Sequence, residues 1–412
     1  MDGDRRRLPR RAALGGRRPA GTDAALGVRH RTDRGGNLVS LTDDRYPVAR
    51  PSLSDLEERY VVEAVRSGWV SSRGPFLTDF EDRFARRCAA GTAVATANGT
   101  VALHLVLAAA GIGPGDEVIV PALTYVATAN AVAYCGARAV CVDVLPQSWC
   151  VDPAAVAAAI GPRTRAVVAV DLYGHPADYP ALRALCHRHG LLLVADAAES
   201  FGATVDGEPT GSLADATTFS FFGNKVITAG EGGCVTTSDA ALAERMRLLR
   251  NQGMDPQRRY YFPVLGYNYR MTNLAAALLC AQLDRADEII ARRDAVIAGY
   301  ETQLADEPAL SAQPVLAGVR RAPWMACFLV GPAGDDASRD ALALALDRLG
   351  VETRPFFVPI PELPAHHDPA AHCPVTVDLS RRGINLPTYP ELTEPGVKTV
   401  VERVRAALAA VG

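Results

Sequence analysis

The sequence lacks the marks of a disulfide-stapled, metal-binding or membrane protein. Its nine cysteines (88, 135, 141, 150, 186, 234, 280, 327 and 373) are scattered, and no CxxC or other ligand spacing occurs. They read as reduced core residues of a cytosolic protein rather than a disulfide framework or zinc module. No apolar run reaches the length of a membrane span, and the N-terminus has no apolar core of a secretory signal. Charge of one sign is scarce: 43 Lys and Arg against 46 Asp and Glu leave a formal net charge of −3. Such a balance gives no field to draw nucleic acid or an acidic membrane. No internal repeat is visible.

What is present is a globular composition, 49% apolar and 22% charged over 412 residues, a length that suits about two domains. Residues 1–45 stand apart, rich in Arg, Gly and Ala with no sustained apolar periodicity. They are expected to form a basic, disordered extension; an arm that touches nucleic acid is the other reading. From there on, β-branched runs alternate with amphipathic helices. Strands are expected at "EVIVP" (117–121), "ARAVCVDV" (137–144), "RAVVAVDLYG" (165–174) and "LLLVADAA" (191–198). The helices between them end in glycine, as a left-handed C-cap requires. Strands so continuously apolar are covered on both faces, which predicts a largely parallel sheet flanked by helices. Residues 46–272 are expected to form this large α/β domain. "NLAAALLCAQLDRADEIIARRDAVIAGYETQL" then reads as one long connecting helix, followed by a smaller α+β section, together 273–412.

In such a sheet, ligands gather beyond the carboxyl ends of the strands, and several polar residues fall there. "ATANGT" (95–100) runs from a strand through Gly99 and Thr100 into a helix start, where N–H groups and the helix dipole favour a phosphate; simple capping is the alternative. Asp196 follows an apolar strand and needs a partner, either the next helix start or a cationic ring nitrogen. Tyr125, after "EVIVP", could lie on an aromatic cofactor or simply be core. "TTFSFFGNK" (217–225) offers the Ser220 hydroxyl and the Lys225 amine, and a lysine there is costly to bury unless it is used. Phosphate cradle, stacking ring, carboxylate, hydroxyl and lysine together match pyridoxal 5′-phosphate (PLP), which requires a Schiff-base lysine and an acidic partner for its pyridinium. "GIGPGDEV" imitates a dinucleotide fingerprint but precedes a strand instead of opening a helix after one. "HHD" at 366–368 lacks a third convergent ligand, so no metal site is expected.

The chain resembles the DegT/StrS-type sugar aminotransferases, fold-type I enzymes of the aspartate-aminotransferase kind. The motifs in order are "GWVSSRGPFLTDFE", "ANGTVALHLVL", "GDEVIVPALTYVATANAV", "DLYGHPAD", "VADAAESFG", "SFFGNKVITAGEGG", "GYNYRMTNLAAAL" and "RRGINLPTYP". The resemblance runs from about Tyr46 to the C-terminus and implies a large domain with a mostly parallel mixed sheet plus a smaller α+β C-terminal domain. It makes Lys225 the Schiff-base and proton-transfer residue and Asp196 the partner of the pyridine nitrogen. It also implies that Glu199 lies near the cofactor's phenolic oxygen, that Tyr125 stacks on the ring, and that Gly99, Thr100 and Ser220 hold the phosphate. Asn268 is implied to reach the phosphate from the neighbouring subunit of a homodimer. Ser72, Arg73, Arg270 and Arg354 are candidate substrate contacts, with ordinary salt bridges as the alternative for the arginines. The substrates implied are L-glutamate and a nucleotide keto-sugar. Within the family, "SFFGNKVITAGEGG" and "NQGMDPQRRYYFPVLGYNYRMTN" are most similar to the enzymes that aminate C4 of GDP-4-keto-6-deoxymannose. A C3-aminating enzyme, a dTDP-sugar or cyclitol aminotransferase, and a non-catalytic PLP-binding regulator remain alternatives.

Overall fold

The computed structural model describes residues 45–334 and 338–411; the Arg-rich extension lies outside the described residues. Arg45–Gly412 cluster as one compact unit. Its centre is a seven-stranded sheet of β1 (Thr92–Thr96), β2 (Glu117–Pro121), β3 (Arg138–Val142), β4 (Thr164–Val170), β5 (Leu192–Asp196), β6 (Ala216–Ser220) and β7 (Gly233–Thr237). The spatial order is β1-β7-β6-β5-β4-β2-β3. Only β7 runs against the rest. β2 is buried at every position and β4 at all but Arg165, which is why these runs show no polar alternation.

The helices behave as their ends announce. α3 (Gly99–Ala109) starts at Asn98, whose side chain accepts from the Val101 N–H. α6 (Tyr179–His189), the helix before β5, closes on Gly190 at φ +63°, a left-handed cap that a side chain would strain. α2 (Pro75–Arg87) turns Phe80 and Phe84 inward, edge-on to Phe221 at 5.5 and 5.4 Å. This aromatic knot anchors the chain just after β6, four residues before Lys225.

A second, four-stranded sheet lies downstream: β8 (Leu310–Ala312), β9 (Ala326–Val330), β10 (Arg354–Pro355) and β11 (Gly383–Leu386), in order β8-β9-β11-β10. α12 (Glu394–Val411) buries Val397, Val400, Val401 and Val404 in the core beneath it. The expected long connecting helix is two helices, Asn273–Asp284 and Ala286–Gln303. They break at Arg285, whose guanidinium leaves the helix line to bond Glu57 at 2.9 Å and the Ser52 carbonyl. That tertiary contact is invisible to an apolar period, which continues on both sides of the break.

Candidate active site

The carboxyl ends of β1, β2, β4, β5 and β6 open into one cavity of about 560 Å³. Lys225 reaches it from a tight turn after β6, closed by its N–H donating to the Phe222 carbonyl at 2.9 Å. The Phe221 carbonyl accepts from the Ala229 N–H and the Thr228 hydroxyl, so the loop is pinned at both ends. The Lys225 amine lies 3.9 Å from Glu199 Oε1 and 4.0 Å from the centre of the Trp324 ring. Burial pulls its pKa down from the usual lysine value, while Glu199 and Asp196 push it back up.

Asp196 is 6% exposed. One oxygen accepts from the Thr128 hydroxyl at 2.9 Å and the other from the Ala198 N–H at 3.2 Å. Burial raises its pKa, opposed by those bonds and by Lys225. Glu199 is buried too; its Oε2 accepts the Tyr173 N–H at 2.7 Å, and burial drives its pKa up. Tyr173 takes the left-handed conformation (φ 54°, ψ 29°), uncommon for a bulky residue. Gly174 beside it leaves no room for a Cβ, which would meet the Ala322 carbonyl oxygen at 2.1 Å. The "DLYG" turn is thereby fixed, with its N–H aimed at Glu199.

The proposed phosphate cradle has a similarly close construction. A Cβ on Gly99 would come within 2.8 Å of Ser220 Cβ, so glycine is what brings the β6 end against the start of α3. The helix start, with its partial positive charge, and the Ser220 hydroxyl face the same space. Tyr125 borders the cavity with its ring 5.7 Å from Phe357. Asn224 Oδ1 is buried at this wall without a hydrogen-bond partner. A buried carboxylate, a buried amine, a hydroxyl beside a helix N-terminus and an open aromatic ring suit PLP, whose ring nitrogen Asp196 would hold, whose aldehyde Lys225 would take and whose phosphate Gly99, Thr100 and Ser220 would receive.

Of the residues singled out in the sequence, Gly99, Thr100, Tyr125, Asp196, Glu199, Ser220, Lys225 and Arg354 line this cavity. Ser72, Arg73 and Arg270 line a different one, of about 1050 Å³, together with Arg245, Arg247 and Arg250. Arg270 donates to Asn251 Oδ1 at 2.5 Å. The loop carrying Ser72 and Arg73 is tied down by Asn273, which donates to the Trp69 carbonyl at 2.7 Å. Asn268 is exposed and borders neither cavity. His366 bonds Asn130 Oδ1 at 2.7 Å and His367 the Pro361 carbonyl at 3.1 Å. Sequence reasoning missed Thr128, Tyr173, Trp324 and Phe357. Thr128 and Tyr173 lay in quoted motifs, and those were the signals available.

A lysine and an aspartate facing one cavity at the carboxyl ends of a mixed α/β sheet fit a PLP-dependent enzyme of fold-type I. The DegT/DnrJ/EryC1/StrS aminotransferase family model matches residues 51–405, and the chain belongs to that family. It is 48% identical over 364 residues to a GDP-perosamine synthase of Caulobacter vibrioides, covering 87% of this chain and 96% of that protein. A GDP-perosamine synthase of Vibrio cholerae is 40% identical, with 87% and 98% covered. A Streptococcus pneumoniae protein assigned as a sugar aminotransferase, solved in its PMP form, superposes with a TM-score of 0.85 at 26% identity, covering 89% of this chain and 98% of that one. The chain is thus a PLP-dependent sugar aminotransferase acting on a keto-sugar. Among the described residues, no helix is long and apolar enough to cross a membrane.

Proposed function

We propose that the protein transfers the amino group of L-glutamate to GDP-4-keto-6-deoxymannose, giving GDP-perosamine and 2-oxoglutarate in the cytoplasm. The observation that carries the nucleotide and the carbon is the 48% identity to a GDP-perosamine synthase across 96% of its length.

Bound PLP supplies a carbonyl that exchanges amino groups and a protonated ring that withdraws electrons from the reacting carbon. This chain's residues do the rest. Asp196 keeps the proton on the ring nitrogen, since a buried carboxylate next to a cation holds both in their charged forms. Lys225, once its amine is free, would take the proton from the α-carbon of the donor and return it to the carbon that carried the cofactor's aldehyde. In the second half the same amine moves the proton back for the sugar. Gly99, Thr100 and Ser220 fix the phosphate, so the lysine stays in reach of the reacting carbon. Glu199 shares the amine's field and addresses the phenolic oxygen, while Tyr125 covers the ring.

A homodimer with active sites at the interface belongs to this proposal. Its support is that Asn268, Ser72, Arg73 and Arg270 stand apart from the Lys225 cavity in one chain. The loop before Asn268 exposes Tyr260, Tyr261, Phe262 and Leu265, apolar surface that a second copy would cover. Arginines from that copy would then meet the diphosphate. The test is a panel of nucleotide keto-sugars, each incubated with enzyme and glutamate and read by mass. A product from GDP-4-keto-6-deoxymannose, one amino group richer, is expected. Turnover only of a 3-keto or dTDP-linked sugar would replace this substrate.

A further inference from the structure

Lys225 is held against one wall of its cavity by residues that neither the cofactor fit nor the proposed reaction uses. Trp324 is 4% exposed and lies two residues ahead of β9. The face of its ring carries the Lys225 amine, and its indole N–H donates to the Asn224 carbonyl at 2.9 Å. Its other neighbour is Tyr173, stacked at 6.0 Å with 14° between the planes. Arg293, fully buried, donates to the Trp324 and Thr388 carbonyls at 3.0 and 3.1 Å and to the Lys225 carbonyl at 3.4 Å. The small-sheet segment and the lysine turn are thus clamped through backbone carbonyls, and the indole face closes the clamp on the amine.

Two charged groups face that amine. Glu199 and Asp196 face it from the loop and strand end of β5; Arg293 meets the turn only through the Lys225 carbonyl. Both carboxylates favour the ammonium, against the burial that disfavours it. An aromatic face attracts the cation without being able to take its proton, and the attraction grows as the pair is desolvated. Tryptophan has the strongest such face, and here its edge is occupied fixing the residue next to the lysine.

We propose that Trp324 is a positioning residue for Lys225: its ring face holds the ammonium end of the side chain at the cavity wall in the cofactor-free protein, and its N–H fixes the turn that carries it. The inference rests on Lys225 being the reacting amine, but its test does not use turnover. The chain has two lysines, Lys225 and Lys398, and Lys398 is exposed on α12, so one peptide digest reads both. The cofactor-free protein is labelled with limiting acetic anhydride across a pH series, with Lys398 as the internal reference. Trp324 is replaced site-specifically by tryptophans bearing one to four fluorines, which drain the ring face yet keep the N–H and nearly the shape. The apparent pKa of Lys225 should fall stepwise, by about one unit (tenfold in the protonation equilibrium) over the series, with Lys398 unmoved. A flat Lys225 profile overturns the proposal. Trp324→Phe, which keeps a face, should titrate above Trp324→Leu; equal values for the two would likewise contradict it. If the series falls as expected but no cofactor attaches to Lys225, the ring contact stands and the aminotransferase reading of that lysine fails.

Discussion

The two cavities are built by different means. The one around Lys225 is walled by the ends of five strands, and its key side chains are buried and held: Asp196 by Thr128, Glu199 by the Tyr173 N–H. The larger one is lined by the loop at Ser72 and Arg73, by α7 (Ala240–Arg250) and by the stretch after it, and it gathers arginines. The contrast teaches that the chemical centre is fixed within a single chain, where close packing sets geometry to fractions of an ångström. The larger cavity instead draws its arginines from a helix and the loops beside it, with Arg250 bonded to Glu81 and Arg270 to Asn251.

That division can be broken most sharply at Lys225. Lys225→Ala should lower amino transfer by about 10⁴-fold or more, since proton transfer and covalent exchange both leave with the amine, while thermal unfolding stays near the parent's. Near-normal turnover would remove the lysine from the mechanism. Asp196→Asn should come next, slowing kcat by about 10²–10³-fold with measurable PLP binding, because a neutral amide cannot hold the ring nitrogen protonated. An unchanged kcat would leave Asp196 as a mere cap. Across the boundary between the cavities, Arg270→Ala should reduce kcat/KM for the nucleotide sugar by about ten- to a hundredfold. Refolding mixed Arg270→Ala and Lys225→Ala chains should restore activity to about a quarter of the parent, because a symmetric dimer then rebuilds intact sites. No recovery would place Arg270 in its own chain's site. The smallest effect is expected at Arg354→Ala. That side chain is half-exposed and 3.9 Å from Glu352, so KM for the sugar should rise about fivefold with kcat kept.

The sequence carried much of the centre because the chemistry dictates residue types at strand ends. A lysine after a strand, an aspartate closing an apolar run and a glycine opening a helix each have an ordinary structural reading alone, and only their combination in order pointed to the cofactor. The strands were legible for the same reason: β2 coincides with "EVIVP", and the continuous burial that hides alternation also marks a parallel sheet. Trp324, Thr128 and Tyr173 were not legible, because their residue types are common core types and their partners lie far along the chain. Trp324 meets Lys225 across 99 positions, through a clamp made of carbonyls that leave no side-chain signature. The break at Arg285 was hidden likewise, set by Glu57 and Ser52 more than two hundred residues upstream. The candidate arginines were named from the sequence, but only the folded chain separates Arg354 from Arg73 and Arg270.

The whole account depends on a bond between one amine and the aldehyde of vitamin B6. The direct measurement is to load the protein with PLP, reduce it with borohydride and sequence the labelled peptide by mass. The pyridoxyl group should sit on Lys225 alone and vanish in Lys225→Ala. Label on Lys398, or none with PLP in excess, would contradict the account.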